Sequence, residues 1–170
     1  MYVSDDKTDE VVAKHAQLQS AIRGTTVLLV VPGHGSHMLV GLGLMLGWMG
    51  TSLAVYGLTN NSRTMLPYLL SAGLIAVSIM SILLYQVLRG QPAARRRMFK
   101  CTVVLAIVAL CVLSAAVVWG DRATLLVSVV GAAASALTAR CIAGANYALF
   151  AAFFRAKRKY ADQLRELGAT

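Results

Sequence analysis

Residues 101–119 read CTVVLAIVALCVLSAAVVW, an apolar run without a single charged side chain. At 1.5 Å per residue such a helix is long enough to cross a hydrocarbon core of roughly 30 Å. Two further stretches, 38–58 and 66–88, are equally free of charge. A fourth, 124–154, carries only Arg140. Lipid offers the backbone no hydrogen-bond partners, so segments of this kind must be helical. The pattern predicts an all-α polytopic membrane protein of four transmembrane helices. They are flanked by an amino-terminal amphipathic helix and a helical basic tail.

The rest of the composition agrees. The chain has 170 residues, of which 58% are hydrophobic and 14% charged. Soluble domains run near 45–50% apolar and about 25% charged. The 16 Lys and Arg against 7 Asp and Glu leave a net charge of +9. In a soluble protein that excess would suggest nucleic acid, but here no aromatic platform or recognition motif accompanies the basic runs, and no nucleic-acid partner is expected.

Basic residues near span ends stay on the cytoplasmic side. Segment 89–100 holds Arg89, Arg95, Arg96, Arg97 and Lys100, and the tail 155–170 holds Arg155, Lys157, Arg158, Lys159 and Arg165. The intervening loops carry only Arg63, or Asp121 beside Arg122. Four crossings with both termini cytoplasmic satisfy every loop, and a bacterial inner (cytoplasmic) membrane is the expected location. Arg95, Arg96, Arg97 and Lys100 are then expected to fix topology and to meet anionic lipid headgroups.

The amino terminus, with Asp5, Asp6, Asp9 and Glu10, is unlike a basic leader. The expected organisation is a cytoplasmic or interfacial segment 1–24 with a helix over 5–23, a break at 25–37, a bundle at 38–154 and a tail at 155–170. In the break, the apolar run 25–31 precedes Pro32-Gly33-His34-Gly35-Ser36-His37. Proline and two glycines oppose a continuous helix there, which should restart near Ser36.

Few residues carry chemistry. His34 and His37 could ligate a metal, pass protons, imitate a serine nucleophile and its base with Ser36 between them, or sit at a glycine-rich helix entrance among headgroups. No further ligands accompany them, and neither a metal nor a cofactor is expected. Arg140 either snorkels to the headgroups or, if the aromatic cluster at 147–154 is embedded, needs a polar partner inside the bilayer. Gly144 is a candidate kink that would fit 31 apolar residues to one bilayer. No span contains Asp or Glu, which removes proton-coupled exporters and intramembrane aspartyl proteases. Cys101, Cys111 and Cys141 form no Cys-x-x-Cys pair.

Small residues are the remaining signal, because close backbone approach holds helices together in lipid. Gly43 and Gly47 on the first span, and Gly131, Ser135 and Ala139 on the fourth, recur at four-residue spacing. The expected role is non-enzymatic: intramembrane contact with another membrane protein or a toxin, or self-association. Two forms are an immunity protein against a pore-forming toxin and an accessory subunit of a membrane complex. The alternative is an oligomeric channel or transporter with Arg140, His34 and His37 on its path.

Overall fold

The computed structural model describes residues 4–25, 31–60, 63–91 and 93–167, and among them it has seven helices and no strand. Four are long and apolar enough to cross a membrane: α3 (His34–Leu58), α4 (Leu66–Leu88), α5 (Ala94–Trp119) and α6 (Arg122–Ala143). Three more gather at one end of this bundle: α1 (Asp5–Lys14), α2 (Ala16–Ile22) and α7 (Ala145–Glu166). That end also holds the basic segment 89–100, which includes the first turns of α5, and is called the basic end below. The protein is a four-span helical membrane protein.

The seam between α3 and α6 organises the bundle. The two run antiparallel, so Gly43, Gly47, Gly50 and Gly57 of α3 meet, in that order, Thr138, Ser135, Gly131 and Thr124 of α6. Approach is closest where glycine faces glycine: a Cβ on Gly50 would stand 2.6 Å from Gly131 Cα. Hydroxyls along the seam donate to carbonyls of their own helix, Ser135 to Gly131 at 2.8 Å and Thr51 to Gly47 at 2.7 Å. These seam hydroxyls are thereby not left to face hydrocarbon unpaired.

Four of the five expected packing residues lie at this seam, but Ala139 is only half-buried. A strict four-residue step drifts about 40° around a helix of 3.6 residues per turn. The buried face of α6 instead alternates steps of four and three, through Thr124, Ser128, Gly131, Ser135, Thr138 and Ile142. Thr138 takes the place expected for Ala139.

Among the described residues α5 packs on both α3 and α6, whereas α4 packs mainly on the edge formed by α3 and α5, with a shorter contact to α7. Leu83 and Val87, at its basic end, are the buried residues of α4. Its other two-thirds stand largely clear of the bundle.

Two expected helices are broken. The 124–154 stretch is not one span: α6 ends at Ala143, Gly144 is extended at φ −68° and ψ 161°, and α7 starts at Ala145. Tyr147, Phe150 and Phe153 are buried in protein under the bundle and do not lengthen the span. The helix expected over 5–23 is interrupted at His15, also extended, which folds α2 back so that α1 and α2 both lie on α7. Val12, Leu18 and Ile22 close over Ala152 and Phe153 there. The first span begins at His34, two residues earlier than expected, behind Pro32 and a left-handed Gly33 at φ 78°. Residues 26–30 of the 25–31 run lie outside the described residues.

Candidate functional site

The features that stood out in the sequence meet at the first half of α7. Gly33, at the entrance to α3, abuts the Asn146 carbonyl, and Gly90, in the turn after α4, abuts Phe154. Both glycines have positive φ and a Cβ at either would strike backbone, so no other residue fits. The His37 ring stacks on Phe150 with centroids 4.5 Å apart, and lies 6.0 Å from the Tyr147 ring. Its Nδ1 is buried without a hydrogen-bond partner. His34 is exposed, its ring 6.4 Å from Phe150.

Arg95 occupies the centre of this joint and is 1% exposed. Its Nε donates to the Ile142 carbonyl at 3.0 Å, its Nη2 to the Ala143 carbonyl at 3.1 Å and its Nη1 to Asp5 Oδ1 at 2.6 Å. A helix leaves its last four carbonyls without intrahelical donors. In α6 the Gly144 amide serves Arg140 and Cys141, and the Arg95 guanidinium serves Ile142 and Ala143. The positive charge also faces the negative end of the helix dipole. A single buried arginine thus completes the cap that allows α6 to stop and the chain to turn into α7.

The carboxylate that balances it comes from α1. Asp5 also lies 3.6 Å from Arg155 of α7, and Arg155 donates to Asp9 at 2.8 Å. Asp5, Arg95, Arg155 and Asp9 therefore form an ion-paired chain tying the amino-terminal helix to α5, α6 and α7. Beside it, Tyr147 is fully buried with its hydroxyl 3.7 Å from Met98 Sδ. Burial pushes this phenol above its ordinary pKa, against the opposing pull of Arg95.

Arg95 is consequently no headgroup ligand, which corrects the expectation for that residue. Arg96, Arg97 and Lys100 are exposed. The phase of α5 explains the division, since its buried stripe, Thr102, Leu105, Ala109 and Ala116, extends back through Met98 to Arg95. Continuing that stripe into the basic run would have singled out Arg95 from sequence. Its partner Asp5, ninety positions away, had no comparable signal. Arg140 is exposed on the last turn of α6, where a snorkelling side chain belongs, and no hydrogen bond or ion pair among the described residues joins it to either histidine. Among those residues no group of three His, Cys, Asp or Glu is placed to hold a metal ion.

The bundle also carries an apolar groove of about 490 Å³ between α3, α4 and α5. Leu44, Trp48, Met80, Leu84 and Val104 are among its walls, and Lys100 stands at its basic end. No protein-family model matches the chain, and no curated protein or solved structure is significantly similar to it.

Proposed function

We propose that this is a non-enzymatic integral membrane protein that acts by binding another membrane protein helix against helix. It would lie in a bacterial inner membrane with both termini in the cytoplasm. The observation that carries this reading is α4. Only 6% of its apolar window is buried, against 33% for α3 and for α6. A span that contributes so little to the bundle is available to a partner. Ser71 and Ser78, both exposed, give its outer face small residues at a seven-residue spacing, and their hydroxyls are already bonded to the Pro67 and Leu74 carbonyls. That face can approach another helix closely without a polar cost.

Immunity against a pore-forming toxin and membership of a larger complex both use such a face. A deletion strain separates them: the immunity form requires a secreted toxin encoded beside the gene and a deletion strain that dies only when that toxin is present. Survival of the deletion strain under that attack removes the immunity form. A photo-crosslinking residue at Leu74, on the exposed face of α4, should capture the toxin, or a co-purifying subunit, more strongly than one at Leu137 of α6; equal capture counts against α4 as the contact surface.

A further inference from the structure

We propose that the groove between α3, α4 and α5 seats one acyl chain of an anionic phospholipid of the basic-end leaflet, with Lys100 on the lipid phosphate. The walls are carbon almost throughout, with Lys100 and Ser81 the polar side chains at a lipid-accessible position. On the three helices the lining runs from Gly41, Leu84 and Lys100 at the basic end to Trp48, Ala76 and Val108. Eight residues of helix are about 12 Å, which fits within the roughly 15 Å depth of one hydrocarbon leaflet. Trp48 lines the inner end, its indole nitrogen close to Gly73 of α4. An extended hydrocarbon chain is narrower than a helix, which is about 10 Å across.

The headgroup assignment follows from charge. Between Glu10 and Asp121 the chain contains no acidic residue. Of the acidic residues at the basic end, Asp5 and Asp9 are engaged with Arg95 and Arg155, Glu10 with Lys14 and Asp162 with Arg158, and no ion pair among the described residues joins Asp6 or Glu166 to Lys100, Arg96 or Arg97. Lys100 is exposed and adjoins the exposed Arg96 and Arg97, so the anion that balances this cluster comes from outside the protein. A lysine at this depth extends its ammonium toward the phosphate level while its stem lines the groove. The mouth beside it is held open by Gly41, where an added Cβ would meet nothing within 4 Å.

The test uses the full chain in phosphatidylcholine vesicles, with Trp119→Phe so that Trp48 is the sole reporter. Phosphatidylglycerol brominated on its acyl chains should quench Trp48 about fivefold more effectively than brominated phosphatidylcholine, equivalent to ~1 kcal/mol for one lysine near an anionic surface. Lys100→Gln should bring the ratio close to one, Lys100→Arg should keep it, and Arg122→Gln at the opposite end of the bundle should leave it unchanged. Gly41→Phe, whose Cβ meets nothing within 4 Å and whose ring adds bulk to the lining, should lower quenching by both lipids. Equal quenching by the two lipids, a ratio indifferent to Lys100→Gln, or quenching unaltered by Gly41→Phe overturns the proposal. The vesicles contain no protein partner, so the outcome is independent of the helix-contact function.

Discussion

Substituting Gly50 by alanine tests whether the α3–α6 seam is the principal bond of the bundle. The new methyl would start 2.6 Å from Gly131 Cα and 2.8 Å from its nitrogen. Non-bonded carbon atoms rest at about 3.5–4.0 Å, so the helices must part locally by about 1 Å. A gap of 0.5–1 Å forfeits a quarter to a half of each dispersion contact across it, and forced overpacking costs typically ~1–3 kcal/mol. Gly41→Ala on the same helix is the matched control. It makes the same change in helix propensity, about 1 kcal/mol in favour of alanine in water, but its methyl meets nothing within 4 Å. The difference between the two variants isolates packing. Reversible unfolding in mixed micelles, titrated with dodecyl sulfate and followed by far-UV circular dichroism, should place Gly50→Ala ~1–3 kcal/mol below Gly41→Ala. Agreement of the two within about 0.5 kcal/mol would refute the reasoning, because backbone contact at Gly50 and Gly131 would then contribute nothing to stability.

Two further outcomes follow from the basic end. Arg95→Met removes the cap of α6 and leaves Asp5 only its longer contact with Arg155, so the same titration should show a loss of ~3–5 kcal/mol, as for broken buried ion pairs. The neighbouring Arg96→Met should stay within about ±0.5 kcal/mol, and a comparable loss for both would dismiss the buried cap. In a cysteine-free background, cysteines at Arg63 and Asp121 should react with a membrane-impermeant maleimide in intact cells, whereas one at Lys159 should react only after permeabilisation. The opposite pattern reverses the orientation.

How far the sequence could be read depended on the range of the interaction. The existence of α4 and α5 and the extent of α4 follow from unbroken apolar length, a purely local property, whereas α5 begins at Ala94, seven residues before its apolar run. Gly43, Gly47, Gly131 and Ser135 were legible as packing residues because small side chains at helical spacing have few other uses in lipid. Ala139 was misplaced by one position, since a four-residue step and the true alternation of four and three diverge within two turns. Arg95 was grouped with Arg96 and Arg97 because the three are identical in composition, and only the phase of α5 tells them apart. For His34, His37 and Arg140, spacing raised several chemistries, while the aromatic rings of α7 that cover His37 lie more than a hundred residues further along the chain.

Taken alone, the sequence determined that the chain enters a membrane, roughly where it crosses, and which end of the bundle carries the positive charge. These depend on the transfer of each segment between water and hydrocarbon, which is nearly additive along the chain. The tertiary structure decided that the last apolar stretch stops at Ala143, that Arg95 is buried with Asp5 while Lys100 faces outward, and that α4 stands apart from its neighbours. Each of these turns on which helix comes to lie beside which. A carbonyl left free by one helix, a guanidinium on a second and a carboxylate on a third satisfy one another only after all three have been brought together.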